Sequence, residues 1–232
     1  MARDNLTAKQ EELLISFIVE YVDKNPHNLP RYIQLFDFRK AELTGAEITQ
    51  QQIKDFYQSQ AYAKVREIKD KFNRDEVKDG FKRFARFYKW FVKQLAEQDE
   101  LCYYCKTPKW MLEDLFRSKN ESKRVQKGKP LYSEKPSFSS SFHIDRKVPN
   151  GGYGDNGNCV LACAFCNNAK SDMVKDADEF KSAFGIAIFS FYTALLDKRE
   201  SIEMEENHKK IDKLMEWAKE KLGIERFNKL FK

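Results

Sequence analysis

Two pairs of cysteines constrain this chain more than any other feature of its sequence. Cys102 and Cys105 lie in LCYYCK, and Cys163 and Cys166 lie in ACAFCN. A tight turn of this kind presents two thiolates to one ion, and two such turns can surround a zinc ion tetrahedrally. Because all four ligands would be sulfur, the spacing predicts a closed, structural zinc site. The fifth cysteine, Cys159, alternates with apolar residues and is expected to pack as a small hydrophobic side chain.

The composition is that of a folded protein, because 41% of the 232 residues are hydrophobic, 34% are charged and 14% are aromatic. No apolar run is long enough to span a membrane, and the N-terminus lacks the apolar core of a signal peptide. We therefore expect a cytoplasmic protein, whose reducing surroundings favour metal-bound cysteines over disulfides. The net charge of +6 suits a polyanion partner such as nucleic acid.

The N-terminal third of the chain is expected to be helical. Thr7 and Gln10 form a capping-box pattern at the start of the first helix, which Asn25 and the following proline end. A shorter helix is predicted in RYIQLFDFRKAEL, and a long one from about Gln51 to Phe72.

The segment FKRFARFYKWFVKQL places a basic stripe beside an aromatic one. The basic residues are Lys82, Arg86, Lys89 and Lys93. Two interpretations stay open for them: a face that contacts nucleic-acid phosphates, and an ordinary solvated surface.

Two further segments flank the cysteine pairs. Residues 118–140 are polar and basic without apolar periodicity, and they predict a long loop that helps to grip nucleic acid. The apolar stretch from Ala177 to Leu196 and the stretch from Ile211 to Leu222 predict helices that supply core or partner contacts.

The segment SFHIDRKV alternates so that His143 and Asp145 share one face of a strand. A turn-rich stretch follows, and NCVLAC predicts a return strand before a helix that starts at about Cys166 or Asn167. The predicted unit is therefore strand, loop, strand and helix, in which Asn167 can face the first strand.

These groups suit the hydrolysis of a phosphodiester bond. An imidazole can deprotonate water near neutral pH, while a carboxylate and an amide oxygen can hold a hard divalent cation. Oxygen donors favour Mg²⁺ or Mn²⁺ over zinc. Arg146 and Lys170 are placed to contact phosphate, or are ordinary surface charges.

His143, Asn158 and Asn167, with the pattern C-x-x-C-N-x-x-K from Cys163 to Lys170, resemble the HNH (His-Asn-His) nucleases. The resemblance implies a ββα-metal fold whose two C-x-x-C knuckles hold one structural zinc. It also implies that His143 is the general base, that Asn158 braces the loop between the strands, and that Asn167 is a ligand of the catalytic Mg²⁺ or Mn²⁺.

The resemblance covers residues 102–172 and has one departure. The common family pattern has an acid directly before the histidine, where this chain has Phe142, and the acid follows instead as Asp145. The sequence thus resembles the branch of the family with an Asp-Arg pair on the first strand, which makes Asp145 the second ligand of the catalytic ion. Whether His143 or another group is the general base stays open.

We therefore expect a mainly α fold in which helical N- and C-terminal regions surround a small zinc-stapled ββα-metal core. The predicted regions are a DNA-binding helical region at 1–98, the nuclease core at 99–175 and C-terminal helices at 176–232. The predicted function is a metal-dependent endonuclease acting on double-stranded DNA in restriction or anti-phage defence. A homing endonuclease is the alternative within the enzyme class, and a zinc-stapled nucleic-acid-binding module without cleavage is the alternative outside it. One active site per chain would cut both strands most simply as a homodimer.

Overall fold

The computed structural model describes residues 6–26, 28–116, 140–197 and 216, which are mainly helical with a two-stranded antiparallel sheet, as predicted. Most of the predicted loop at 118–140 and of the predicted helix at 211–222 lies outside the described residues. In chain order the elements are α1 (Ala8–Lys24), α2 (Tyr32–Phe38), α3 (Lys40–Gly45), α4 (Gln50–Phe56), α5 (Gln60–Phe72), α6 (Asp75–Phe81), α7 (Phe84–Glu97), α8 (Lys109–Phe116), β1 (His143–Arg146), β2 (Cys159–Ala162), α9 (Ala164–Lys170) and α10 (Ala177–Asp197).

The chain divides into two compact units. The first unit contains residues 1–93 and also Tyr153–Asp155 from the loop between the strands. The second contains residues 94–152 and 156–232, so helix α10 belongs to the same unit as the cysteine pairs. Helix α7 begins in the first unit and ends in the second.

The helices of the first unit begin where their side chains can cap them. The predicted capping box of α1 is confirmed, because the Thr7 hydroxyl accepts a hydrogen bond from the Gln10 amide and the Gln10 side chain bonds back. The predicted long helix at 51–72 is wrong, since the chain breaks into α4 and α5. Ser59 has an extended backbone at the break, and its hydroxyl accepts from the Tyr62 N–H at 3.2 Å.

A second correction concerns the basic stripe. Lys82 has a φ of 65° and ends α6, so it does not belong to the helix that carries the other three basic residues. Helix α7 starts after it, with the Ala85 N–H capped by the carboxylate of Asp23 at 3.1 Å. Arg86, Lys89 and Lys93 remain on the exposed face of α7.

Aromatic rings fill the core of the first unit. Phe81 lies with its ring centroid 5.0 Å from those of both Phe87 and Trp90, and Phe72 lies 5.5 Å from Phe84. Such edge-on and tilted pairs bury large apolar surfaces in defined orientations. The aromatic stripe of α7 is therefore the packed face of the helix, opposite its basic face.

The tip of the β1–β2 loop, Tyr153–Asp155, is held by side chains of the first unit. A Cβ atom at Gly80 would lie 1.9 Å from the carbonyl oxygen of Tyr153, so only glycine permits this approach. Arg74 donates a hydrogen bond to the Tyr153 hydroxyl at 3.2 Å. Arg86 donates to both carboxylate oxygens of Asp155, with its Nε 2.7 Å from Oδ2, and these hydrogen bonds lower the pKa of Asp155.

In the second unit, β1 and β2 pair antiparallel with His143 opposite Ala162. Helix α9 follows β2 directly and contacts β1 and α10, which confirms the predicted order of strand, loop, strand and helix. Helix α9 begins at Ala164, earlier than predicted, because the sulfur of Cys163 caps it.

Among the described helices, none is long and apolar enough to cross a membrane.

The glycine at position 80 provides a test of this packing. Alanine is favoured over glycine inside a helix by about 1 kcal/mol, but a Cβ atom here must displace Tyr153, and overpacking costs about 1–3 kcal/mol. We expect Gly80→Ala to lower the urea midpoint of the full chain relative to Gly45→Ala, whose added Cβ meets nothing within 4 Å. Equal or higher stability of Gly80→Ala would contradict this packing.

Candidate metal centre and catalytic strand

The four paired cysteines converge in one buried cluster, as their spacing predicts. The sulfur atoms of Cys102, Cys105, Cys163 and Cys166 all lie within 4.8 Å of one another. An ion that binds four sulfurs tetrahedrally at about 2.3 Å separates them by about 3.8 Å, and the sulfurs of Cys105 and Cys163 are 3.8 Å apart. The cluster therefore has the size and the donor atoms of a structural site for a metal such as zinc. Cys159 is buried on β2 outside the cluster.

Hydrogen bonds to sulfur complete the cluster. The backbone N–H of Cys163 donates to the sulfur of Cys102 at 3.2 Å, and the hydroxyl of Tyr192 donates to the sulfur of Cys163 at 3.6 Å. The hydroxyl of Thr107 lies 3.0 Å from the sulfur of Cys105. Donors of this kind offset thiolate charge and orient the ligands of a metal.

The first cysteine pair is tied to the sheet as well as to the second pair. The buried side-chain amide of Gln98 donates to the carbonyl of Leu161 at 2.8 Å and accepts from its N–H at 3.0 Å. The N–H of Tyr103 donates to the same carbonyl at 2.9 Å. The outer edge of β2 is thereby paired, which leaves no exposed peptide groups at Leu161.

The strand and helix bring the predicted catalytic residues to one region. His143 and Asp145 are separated by one residue on β1 and so share a face of the strand. Helix α9 begins just after Ala162, the partner of His143, and its last residue, Lys170, reaches Asp145. The helix therefore runs back along β1. Asn167 lies one turn before Lys170 on α9 and is half-buried.

The carboxylate of Asp145 lies in a buried polar network. Its Oδ2 accepts a hydrogen bond from the hydroxyl of Tyr104 and lies 3.3 Å from the Nζ of Lys170. Burial raises the pKa of Asp145, while the Tyr104 hydrogen bond and the charge of Lys170 act in the opposite direction. Burial also raises the pKa of Tyr104 far above its usual value, so the phenol stays protonated and donates a hydrogen bond to Asp145.

Lys170 occupies a different place from the surface position that the sequence suggested. Its side chain is 1% exposed, and its Nζ donates to the backbone carbonyl of Arg146 at 2.7 Å. A phosphate contact is therefore closed to Lys170 in this structure. Arg146 is half-buried and pairs with the exposed Asp172 at 3.2 Å.

Asn158 spans the loop between the strands. Its Oδ1 accepts from the N–H of Val148 at 2.9 Å, and its Nδ2 donates to the carbonyls of Val148 and Gly152 at 3.2 and 3.3 Å. These bonds hold the two ends of the loop together, which is the bracing role that the resemblance assigns to this residue. Its contacts are structural, and none reaches His143 or Asp145.

Sequence reasoning missed Tyr104 and Gln98. Tyr104 and its neighbour Tyr103 both lie between Cys102 and Cys105, but Tyr104 is buried and Tyr103 is only half-buried. The sequence does not indicate which of the two tyrosine rings packs in the core. Gln98 lies at the end of an apolar helix, where a polar residue ordinarily marks solvent. Gly80 carried a usable signal, because a glycine within a helical run often marks a close backbone approach.

Comparison of the chain with protein-family models, with curated proteins and with solved structures finds no match. Inference about function therefore rests on the cysteine cluster, on the paired strands with α9, and on the buried network around Asp145.

Metal analysis tests the cluster directly. We expect about one zinc ion per chain, and we expect Cys105→Ser to lose that ion and to unfold the second unit, because metal binding and folding are linked. The matched control is Cys159→Ala, which removes a buried sulfur outside the cluster and should keep the zinc. Retention of zinc and of the fold by Cys105→Ser would show that the two pairs do not share an ion.

A double-mutant cycle tests the ion pair between Asp145 and Lys170. Lys170→Met leaves a buried carboxylate without its counter-charge, and such changes cost about 3–5 kcal/mol of unfolding free energy. The double variant Asp145→Asn, Lys170→Met removes both charges and keeps an acceptor for Tyr104, so it should be more stable than Lys170→Met alone. Simple addition of the two single costs in urea unfolding would refute the pairing.

Proposed function

We propose that this chain is a metal-dependent endonuclease of the HNH type that hydrolyses phosphodiester bonds in double-stranded DNA. The observation that carries the proposal is the unit of two strands and a helix, in which His143 and Asp145 share a face of β1 and Asn167 lies on the helix α9 that packs against this strand. The neighbouring four-cysteine cluster supports it, since two C-x-x-C knuckles accompany this arrangement in the family that the sequence resembles.

The side chains divide between two metals by their donor atoms. Four sulfurs suit a structural zinc ion, whereas the oxygens of Asp145 and Asn167 suit Mg²⁺ or Mn²⁺. When bound there, such an ion would stabilise negative charge on the phosphate oxygens. His143 is the proposed general base that takes a proton from water, and Asn158 keeps the loop closed beside it.

The basic residues support nucleic acid as the substrate, although fewer of them are available than the sequence suggested. The side chains of Lys82, Arg86, Lys89 and Lys93 are all exposed, but Asp155 offsets the charge of Arg86, and Lys170 is buried. Exposed lysines attract phosphates without reading the base sequence. We propose restriction or anti-phage defence as the biological role, with a homing enzyme as the alternative, and a homodimer as the cleaving species.

Incubation of supercoiled plasmid with the protein and Mg²⁺ or Mn²⁺ tests the activity. Wild type should nick or linearise the DNA, and His143→Ala should lower the rate by roughly 10²–10⁴-fold, the usual contribution of a general base. Asn167→Ala should also lower the rate, whereas Asn168→Ala, its exposed neighbour, should not.

Two results would count against the enzyme. DNA binding by the wild type without cleavage under any of these metals would favour the non-catalytic binding module. Full activity of His143→Ala would assign the base to another group. End sequencing of a digest of defined DNA would separate a homing enzyme with one long site from a restriction enzyme with many short ones.

A further inference from the structure

The network around Asp145 joins three parts of the second unit. Tyr104 lies inside the first cysteine knuckle, Asp145 lies on β1, and Lys170 ends the helix that follows the second knuckle. All three side chains are buried, and Tyr104 and Lys170 are fully enclosed. The carboxylate of Asp145 therefore contacts one residue from the first knuckle and one from the helix that follows the second knuckle.

Tyr104 and Lys170 contact the same oxygen of the carboxylate. Both interactions are made to Oδ2, and the backbone N–H of Arg146 also donates a hydrogen bond to the carboxylate. Lys170 is itself fixed by the backbone carbonyl of Arg146 at 2.7 Å. Two side chains therefore hold Oδ2, and this fixes the direction in which Oδ1 points.

The ring of Tyr104 cannot turn easily away from this position. Its centroid lies 5.2 Å from that of Phe180 in an edge-on arrangement, and a Cβ atom at Gly185 would lie 2.7 Å from the Tyr104 carbonyl oxygen. Helix α10 therefore packs closely against this residue. The hydroxyl of Tyr104 has a fixed direction, which is a requirement for holding another group in place.

We propose that Tyr104 and Lys170 are positioning residues that hold Asp145 through Oδ2 and so present Oδ1 to a divalent cation. This inference rests on the proposed function, because it assigns partners to the acid that would bind the catalytic ion. A carboxylate that binds a metal is ordinarily oriented by hydrogen bonds to its other oxygen. The ammonium group of Lys170 lies 3.3 Å from Oδ2 and supplies an opposite charge beside the carboxylate.

Tyr104→Phe tests the inference, because it removes one hydroxyl and keeps the packed ring. Its matched control is Tyr103→Phe in the same knuckle, whose hydroxyl lies 3.4 Å from Asp178 and does not contact Asp145. Mn²⁺ binding to the full chain, zinc-loaded and without DNA, is measured by electron paramagnetic resonance for both variants and for wild type. Zinc content and thermal unfolding are recorded for each sample.

We expect Tyr104→Phe to weaken Mn²⁺ binding by about 10–100-fold, the usual effect of losing a hydrogen bond to a metal ligand. Tyr103→Phe should bind Mn²⁺ as wild type does, and all three proteins should keep zinc. In plasmid cleavage, Tyr104→Phe should need correspondingly more Mn²⁺ for half-maximal rate. A residue with only a structural role would lower the unfolding temperature without moving the Mn²⁺ affinity.

Unchanged Mn²⁺ affinity in Tyr104→Phe, with cleavage by the wild type, would overturn the inference and leave the proposed function standing. A wild type that neither binds Mn²⁺ nor cleaves DNA would overturn both. If Tyr104→Phe loses zinc or unfolds, Lys170→Gln replaces it, since an amide keeps a donor for Oδ2 without the charge. Mn²⁺ affinity equal to that of wild type in a folded Lys170→Gln would equally refute the inference.

Discussion

The four-sulfur cluster is the contact on which the second unit depends. It joins two segments that are separated by residues 106–162, and closing so long an excursion costs conformational entropy that a two-stranded sheet cannot repay. The cluster has the donor atoms for a metal such as zinc, and an ion bound there would contribute its binding free energy to folding. Once the two knuckles meet, the end of α7 can pair with Leu161 through Gln98, and the outer edge of β2 is closed.

The network around Asp145 depends in part on the same closure. Tyr104 belongs to the first knuckle and reaches the carboxylate only when that knuckle lies beside the strands, whereas Lys170 ends the helix that follows β2 directly. Burying an ion pair is costly unless both charges and their remaining hydrogen bonds are satisfied. Here the hydroxyl of Tyr104 and the carbonyl of Arg146 meet that requirement. The cysteine cluster is thus linked to the acid through Tyr104, which lies between Cys102 and Cys105.

The sequence predicted the elements well where one local rule applied. Thr7 with Gln10 marked a capping box, cysteine spacing predicted the cluster, and alternation around His143 predicted the strand. The sequence did not predict features that depend on burial or on contacts between residues far apart in the chain. The break at Ser59 is invisible in an apolar pattern that continues across it, and the lysine of C-N-x-x-K reads as a surface charge until Asp145 is placed opposite it. Spacing gives the face of a helix, but not what covers that face.

The acid that follows the histidine, where the family pattern has one before it, has a geometric explanation in this strand. Successive residues of a strand point to opposite faces, so His143 and Asp145 share one face of β1 and Ile144 points to the other, while Phe142 directly precedes the strand. Phe142 and Ile144 are 1% and 2% exposed and pack in the core. An acid at position 142 would lose its hydration there, and burying a carboxylate is costly unless it is paired. Asp145 is instead on the face of His143, where the Tyr104 hydroxyl donates a hydrogen bond to its carboxylate and Lys170 supplies the opposite charge, so the acid and the imidazole share one face of β1 without leaving a buried charge unpaired.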